Sequence, residues 1–562
     1  MQTFDYVIIG SGFGGSVSAL RLTEKGYTVL VLERGKRFRD QDFAKRNWNL
    51  FKYIWMPSLR FFGILQFSLF RNVLALHGSG VGGGSLGYAN VLMTPNDKLF
   101  ENPAWKHLAD WKQNLAPHYE TAARMLGATP NPCAWPADHV LRQVAQDLGS
   151  EATFHPTTVG VFFGDPQQTD LLYEAARNGG GRAPGPEYAD PFFGGEGPAR
   201  NACIHCGGCM VGCRHNAKNT LLKNYLYLAE KWGTKIHPDA LVTDVRPLPA
   251  GQPDGARYEV EYVTSTGWLF KQKHTARAQN VIFSAGALGT MRLLFRCREI
   301  TRSLPKISPR LGDMVRTNSE SLLGVSARDQ KSNYSKGIAI TSIFNADEIT
   351  SIEPVRYPSG SSLMRFLAGP LVEKDLNFGQ RIWKAFAGAF THSRDFLLSH
   401  VLPGWAERST ILLVMQTEDN RIRIRLGRSL FTLWQRDLVS LPDETLTIPT
   451  MIPTGHDVAK RFAHKIQGIT AGSINESLFN IPITAHILGG APFGKDAQEG
   501  VIDLNCQIHN YPGLYIVDGS IMPGNPGINP SLTITALGEY AMSRVAPKPG
   551  AVIRPPIGVD GR

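Results

Sequence analysis

Four cysteines within eleven residues are the densest group of reactive side chains in this sequence. Their spacing is C-x2-C-x2-C-x3-C, at Cys203, Cys206, Cys209 and Cys213. Thiolates at these intervals can surround one side of an iron–sulfur cube, although Arg214, not proline, follows the last cysteine. The spacing predicts one [4Fe–4S] cluster, with Cys213 or the distant Cys133 as its fourth ligand. Zinc and metal-free thiols remain the alternatives.

A second candidate site is the glycine-rich turn at Gly10, Gly12 and Gly15, which follows a short apolar run. Glycines allow a tight turn, a close approach of the backbone to a pyrophosphate, and close packing of the following helix. A second apolar strand ends at Glu33, about 20 residues further on, where a carboxylate can hold a ribose 2′-hydroxyl. The N-terminus therefore predicts a dinucleotide site, and Glu33 argues against a 2′-phosphate.

Three later stretches also combine strands with small residues. They are the loop 77–86 with the following Tyr88, Ala89 and Asn90, the strand and turn 281–290, and the tail 517–537. So many glycines in a loop allow the backbone to pass against a flat cofactor. We therefore predict that one cofactor domain is assembled from separate parts of the chain.

The elements between these stretches are predicted to form a second unit. Alternating patterns at residues 410–416 and 421–424 predict antiparallel strands, residues 140–148 predict a helix, and the Gly-, Pro- and Asp-rich residues 163–200 predict a loop. Residues 48–76 and 361–405 are rich in aromatic and basic side chains, including Phe366, Trp383, Phe386, Phe390 and Phe396. They predict either buried helices over the cofactor or an amphipathic surface that contacts a membrane.

Composition limits the class of protein. The 562 residues are enough for two or more domains, and the 43% apolar and 19% charged content is typical of a globular enzyme. The net charge of +11 is compatible with anionic surfaces, and no nucleic-acid module is recognised. Seven cysteines, four of them clustered, do not indicate a disulfide framework. With no signal peptide and no apolar run of 18 residues, we expect a cytoplasmic protein, with peripheral contact at the inner membrane face as an addition.

Taken together, these motifs resemble the glucose–methanol–choline (GMC) family of flavin oxidoreductases, in its cholesterol oxidase-like branch. The resemblance covers essentially the whole chain. It rests on the stretches 10–15 with Glu33, 80–85, 284–286, 486–490, 518–520, 527–530 and 533–537. The family binds FAD, so the resemblance implies FAD at the predicted dinucleotide site.

The implied FAD contacts follow from these matched stretches. They are Gly10, Gly12, Phe13, Gly14, Gly15, Glu33, Arg34, Gly82, Gly83, Gly84, Ser85, Tyr88, Ala89, Asn90, Val245, Ala285, Gly286, Asp518, Gly519, Asn529, Pro530 and Thr533.

The resemblance also implies three catalytic residues. Many family members pair two histidines at the flavin, whereas here the pair is His486 and Asn529, as in sterol oxidases. Glu353, in Ser351-Ile352-Glu353-Pro354, is similar to the neighbourhood of a glutamate that sterol oxidases use. His486 would act as base or share that role with Glu353. Asn529 would contact the flavin.

The resemblance implies an α/β protein, α+β overall. A discontinuous Rossmann-type FAD-binding domain (1–95, 200–300 and 482–545) would carry an inserted substrate domain of antiparallel sheet and helices (96–199 and 301–481). Residues 201–215 would form a cysteine-rich loop.

The implied function is oxidation of a sterol or other bulky apolar alcohol by hydride transfer to flavin N5. Electrons would pass through the cluster to an external acceptor such as a quinone or cytochrome. A flavoprotein electron-transfer or membrane subunit is one alternative, and a lyase or decarboxylase on the same fold is another.

Overall fold

The protein is described by a computed structural model that covers residues 2–179, 183–267, 271–329, 332–371, 379–380, 383 and 393–558. Two seven-stranded sheets organise these residues, and a separate apolar core lies against each of them. The predicted mixed α/β class is confirmed, whereas the domain boundaries remain a prediction.

The first sheet carries the N-terminal strand at its centre. Its strands, from one edge to the other, are Lys235–His237, Val29–Leu32, Thr3–Ile9, Lys273–Phe283, Tyr258–Thr264 and Ala240–Pro247, with Leu514–Ile516 beside the end of Lys273–Phe283. Pairing is parallel around the N-terminal strand and antiparallel between the last three. Because parallel strands end at the same edge, the loops after residues 9, 32, 283 and 516 meet there.

The second sheet is antiparallel over its central strands. Its order is Ala368–Gly369, Ile469–Ser473, Ser321–Ser326, Ser409–Gln416, Thr350–Val355, Ser342–Asn345 and His155–Pro156. In a three-stranded sheet, Leu74–Gly78 pairs with both Leu65–Leu69 and Ile483–Thr484. Two-stranded sheets pair Trp55–Met56 with Phe61–Phe62, Thr129–Pro130 with Thr158–Val159, Glu187–Tyr188 with Arg200–Asn201, and Ile422–Gly427 with Asp437–Pro442.

Helices cover both sheets. They are Phe13–Glu24, Leu50–Tyr53, Asp97–Phe100, Trp111–Met125, Pro136–Asp147, Pro166–Arg177, Tyr225–Lys231, Ala287–Phe295, Ser393–His400, Trp405–Arg408, Pro453–Lys465, Ile474–Phe479 and Ser531–Ser543. A buried ion pair, Arg21 Nε to Glu539 Oε2 at 2.7 Å, joins the first helix to the last. Leu141 and Phe462, from two other helices, belong to the core of the second sheet.

The prediction of a loop over residues 163–200 was wrong in part, because Pro166–Arg177 is a helix. Asp165 accepts a hydrogen bond from the backbone N–H of Gln168 at 2.9 Å, and proline occupies the first helical position. Both residues were interpreted as loop-forming, yet aspartate and proline are also typical of a helix start.

The aromatic segment 48–76 forms short strands rather than a long helix. In the described part of the chain its only α-helix is Leu50–Tyr53, and the 3₁₀ helix Pro57–Leu59 and Gly63 lie at breaks between strands. Part of the second aromatic segment, including Phe386 and Phe390, lies outside the described residues. Over the ranges that the structure covers, no helix combines the length and apolar character needed to span a bilayer.

Candidate active site

The turn after the first strand is packed as the glycine spacing predicts. Gly10 has φ +100°, and a Cβ there would lie 2.3 Å from the carbonyl oxygen of Ser284. A Cβ at Gly15 would lie 2.2 Å from the Gly10 carbonyl oxygen, so the helix packs directly on the turn. At Gly12, by contrast, a Cβ would meet no described atom within 4 Å. The turn is therefore closed toward the protein and open on the side of Gly12.

Glu33 lies beside this turn at the end of the second strand. Its Oε2 accepts hydrogen bonds from the backbone N–H of Ser11 at 3.0 Å and from the Ser11 hydroxyl at 2.7 Å. Its Oε1 accepts one from the Gly35 N–H at 2.8 Å. The carboxylate is buried and fixed next to the glycine turn, where the sequence places a ribose. Arg34 follows it, with its guanidinium 5.8 Å from the ring of Trp55.

The second glycine loop contacts the first. A Cβ at Gly83 would lie 2.7 Å from Cα of Gly12, and the Gly82 N–H donates to the Ser11 hydroxyl at 3.0 Å. The Ser85 hydroxyl donates to the Gly82 carbonyl at 2.7 Å and so holds the loop shape. The structure thus brings together two loops that are about 70 residues apart in sequence.

Asn90, after this loop, has unpaired polar atoms. It is buried in a left-handed conformation with φ +74°. Apart from a weak contact with the Cys209 thiol, neither side-chain amide atom has a hydrogen-bond partner among the described residues. The neighbouring Tyr88 packs edge-on against Phe13, with ring centroids 5.6 Å apart. A buried amide without partners fits a polar ligand that occupies this space.

The remaining predicted cofactor residues lie in three places. Gly286 has φ +75° before helix Ala287–Phe295, and a Cβ there would meet no described atom within 4 Å. Asp518 accepts from the Ser520 N–H at 2.8 Å and from the Thr290 hydroxyl at 2.5 Å. Gly519 begins the 3₁₀ helix Gly519–Ile521, and Pro530 and Thr533 lie at the start of the last helix. Val245 lies buried in strand Ala240–Pro247.

His486 follows strand Ile483–Thr484 and keeps 15% of its side chain exposed. Its Nδ1 forms a hydrogen bond with Oε1 of Glu320. Its backbone N–H donates to the Thr484 hydroxyl at 2.9 Å. The imidazole is therefore anchored through one ring nitrogen.

Glu320 is the residue that the sequence analysis missed. Its Oε2 accepts from the Thr484 hydroxyl at 2.9 Å and from the Ala485 N–H at 2.8 Å. Its Oε1 also accepts from Asn318 Nδ2 at 3.2 Å. No motif marks this carboxylate, although a glutamate directly before the apolar strand Ser321–Ser326 is an unusual choice that could have drawn attention.

The other two predicted catalytic residues contact each other. With its amide nitrogen facing the carboxyl, Asn529 donates to Glu353 Oε1 at 2.9 Å and Oε2 at 3.1 Å. Glu353 is fully buried in strand Thr350–Val355. Burial raises its pKa well above the usual range; the Asn529 hydrogen bond lowers this pKa and the Glu320 carboxylate raises it. Burial therefore favours the protonated form of Glu353.

The predicted cysteine cluster is not supported. Within the described part of the chain, which includes all four cysteines, no group of three His, Cys, Asp or Glu side chains is arranged to hold a metal ion. The backbone of the segment contacts the rest of the protein. The Gly207 N–H donates to the Gly337 carbonyl at 2.7 Å, and Lys218 Nζ donates to the Cys209 carbonyl at 2.8 Å. Cys133 lies in a separate cluster with Trp135 and Tyr173. Neither the predicted [4Fe–4S] cluster nor the zinc alternative is supported by the described residues.

Comparisons with known proteins bear on this site. A family model described as GMC oxidoreductase matches residues 467–538, and one described as NAD(P)-binding Rossmann-like domain matches residues 8–39. A cholesterol oxidase from Acinetobacter baumannii is 44% identical over 546 residues, which cover 97% of this chain and 95% of that protein. A cholesterol oxidase from Mycobacterium tuberculosis is 43% identical over 560 residues, covering 99% and 93%.

Solved structures agree on the fold. Pyridoxine 4-oxidase from Mesorbium loti has a TM-score of 0.61 at 16% identity, covering 96% of this chain and 98% of that chain. A fungal aryl-alcohol oxidase has a TM-score of 0.54 at 14% identity, covering 97% and 98%.

Proposed function

Because this chain belongs to the GMC oxidoreductase family, in its cholesterol oxidase-like branch, we propose that its substrate is a sterol or another bulky apolar alcohol. The protein is an FAD-dependent oxidoreductase that acts on CH–OH groups. Two relatives named cholesterol oxidase, matched over nearly the full chain, support the sterol assignment. The observation that carries the proposal is the contact of His486 with Glu320, a carboxylate whose charge also acts on the buried Glu353 that Asn529 contacts.

The residues around the glycine turns fit FAD. A dinucleotide with a polar ring system requires space beside the glycine turns and polar groups to contact it. The structure has open space at Gly12 and Gly286, a fixed Glu33 carboxylate and an unpaired Asn90 amide. When bound, FAD accepts the hydride from the carbinol carbon. We propose the predicted contact residues, from Gly10 to Thr533, as its binding site.

His486 has one ring nitrogen engaged and one available. Because Nδ1 contacts Glu320, Nε2 is the atom that can take the hydroxyl proton of the substrate. Burial favours the protonated form of Glu353, which is suited to donate a hydrogen bond to the substrate oxygen rather than to act as the base. Asn529 holds the Glu353 carboxyl in place.

Replacing His486 tests this proposal. In the His486→Ala variant, FAD should stay bound while its reduction by a sterol under anaerobic conditions slows by about 10²- to 10⁴-fold, as expected for loss of a general base. His509→Ala is the matched control, because His509 contacts the backbone carbonyl of Gly494 rather than a carboxylate. An unchanged rate in the His486 variant would remove this histidine from the mechanism.

The electron acceptor is a separate part of the proposal. The oxidase names of the relatives support dioxygen, with no route through the cysteines. Oxygen uptake measured with a soluble quinone or cytochrome in competition distinguishes dioxygen from a redox partner.

We also propose that the substrate is drawn from a lipid surface. Trp48, Phe51 and Phe366 are 43%, 67% and 53% exposed, and the Arg365 guanidinium lies 5.6 and 5.2 Å from the Trp48 and Phe366 rings. Together with the net charge of +11, this surface suits anionic headgroups. The cysteine usage supports the inner face of the cytoplasmic membrane.

Flotation with phosphatidylglycerol vesicles tests this contact. The protein should rise with the vesicles at low ionic strength and release as salt is added. A protein that remains at the bottom of the gradient at low salt would contradict the proposal.

A further inference from the structure

We propose that Glu320 is a positioning residue, which holds His486 in the tautomer whose Nε2 is free to accept the substrate proton. This inference rests on the proposed role of His486 as the base. Glu320 is a different carboxylate from Glu353, and the two are assigned opposite protonation states.

The contacts of Glu320 are those of an ionised carboxylate. Its side chain is completely buried and faces four hydrogen-bonding groups: His486 Nδ1, the Thr484 hydroxyl, the Ala485 N–H and Asn318 Nδ2. The Ala485 N–H and Asn318 Nδ2 can only donate, and the Thr484 hydroxyl can donate as well, so these contacts favour a negative charge on the two oxygens. A buried carboxylate without such donors would be expensive.

This charge determines where the imidazole carries its proton. An ionised carboxylate only accepts hydrogen bonds, so Nδ1 must donate and the neutral ring has its lone pair on Nε2. When Nε2 takes a proton from the substrate, the ring becomes positive beside a fixed negative charge. The pair therefore orients the base before the reaction and stabilises its protonated form afterwards.

Asn318 connects Glu320 to the segment that carries the other predicted catalytic residues. Its Nδ2 also donates to the Ile528 carbonyl at 3.0 Å, and its Oδ1 accepts from the Gly527 N–H at 2.9 Å. Asn318 and Ser319 both have left-handed backbones, with φ +57° and +44°. A conformation that is costly for these residue types is thus maintained where it turns Glu320 toward His486.

Glu353 has a poorer set of partners, which explains the division of charge. The contact that holds its carboxyl is a single amide group, that of Asn529. Its burial and the nearby Glu320 charge both raise its pKa. The two neighbouring buried carboxyls therefore differ in their hydrogen-bond donors, and the Glu320 charge favours the protonated form of Glu353.

Other titratable and charged groups lie on the elements that pack against residues 483–490. They are His77, Asp313, Arg316, Glu353, Glu476 and Asp518. Arg316 is paired with Asp419 at 2.7 Å, and burial lowers the pKa of His77 well below its usual range, so that ring is neutral. Glu320 contacts the imidazole directly.

The test compares Glu320→Gln with Glu476→Gln. Glu476 is also buried in the same region, but burial raises its pKa to about 8 and its carboxyl contacts Ser321 instead of His486. We expect Glu320→Gln to lower the rate of flavin reduction by about 10²- to 10⁴-fold, by analogy with loss of the carboxylate partner of a catalytic histidine. The substrate concentration for half-saturation should change little, and Glu476→Gln should reduce flavin at nearly the wild-type rate.

The pH profile distinguishes positioning from a merely structural role. Without the negative charge beside it, the protonated imidazole loses a stabilising contact, so the acid limb of the flavin-reduction profile should move to lower pH in Glu320→Gln. The proposal would be overturned if the acid limb of the pH profile and the rate of flavin reduction in Glu320→Gln matched those in Glu476→Gln. If His486→Ala is as fast as wild type, the proposed function fails; if that variant is slow and Glu320→Gln is normal, only the present inference fails.

A measurement on the unaltered protein keeps the test independent of variant folding. In histidine-selective ¹⁵N NMR spectra of the holoenzyme, His486 should show the Nδ1-protonated tautomer. An Nε2-protonated tautomer would overturn the inference.

Discussion

The glycine turns and the His486 region are built in opposite ways. At the turns, backbone meets backbone: Gly10 lies against Ser284, and Gly83 against Gly12. Around His486, side chains from distant segments meet, with Glu320 and His486 separated by 166 residues. A site formed by backbone contacts can be predicted from local residue types. A site formed by side chains depends on which strands become neighbours in the fold.

The largest expected effect comes from closing the backbone contact at Gly10. In Gly10→Ala, the Cβ would lie 2.3 Å from the Ser284 carbonyl oxygen at φ +100°. We expect the free energy of unfolding to fall by more than about 3 kcal/mol, through steric overlap and backbone strain. Thermal unfolding of the FAD-free protein measures this change, and near-wild-type stability would contradict the packing described here.

An intermediate effect is expected from Glu353 and depends on pH. Because the folded-state pKa of Glu353 is raised, the folded protein binds more protons than the unfolded chain above pH 4.5. Stability should therefore be lost as pH rises from 4.5 toward the folded-state pKa, by at most about 1.4 kcal/mol per pH unit for one proton. Glu353→Gln should remove this contribution and flatten the curve. Denaturant titrations at several pH values measure this dependence. If the free energy of unfolding changed with pH equally in the wild type and in Glu353→Gln, the prediction would be contradicted.

The smallest effect on stability is expected at Gly12, which belongs to the same turn as Gly10 but faces open space instead of packed protein. A Cβ there meets no described atom within 4 Å, so Gly12→Ala should change the free energy of unfolding by no more than about 0.5 kcal/mol. The same methyl group would occupy the space proposed for the cofactor, so the dissociation constant for FAD should rise at least about tenfold. Equal FAD affinity in the two proteins would show that this space is not used.

The same difference explains what could be predicted from the sequence. The N-terminal strand, the turn and the position of Glu33 follow from local apolar and glycine patterns, and the structure places them together. Helix Pro166–Arg177 was missed because its capping residues are also loop residues. Glu320 was missed because its role arises only when strand Ser321–Ser326 and the residues before His486 become neighbours.

The cysteine run shows the converse case, a local pattern whose predicted cluster the described residues do not support. Its spacing is a local pattern and predicts a cluster, but a ligand set also requires that the thiols converge in three dimensions. In the structure, Gly207 and Lys218 fix the backbone of this segment through contacts with the rest of the protein. Spacing alone could not anticipate those contacts.

The hydrogen bond between Glu320 and His486 also limits how this enzyme can be re-engineered. The histidine belongs to the segment predicted to return to the cofactor domain, while its carboxylate belongs to the inserted one. A chimera that takes a foreign substrate-recognition insert would keep the cofactor site but exchange the partner of its own base. A change of specificity by exchange of the insert therefore requires one of two conditions. Either the foreign insert supplies a carboxylate that contacts His486, or the histidine segment is exchanged together with the insert.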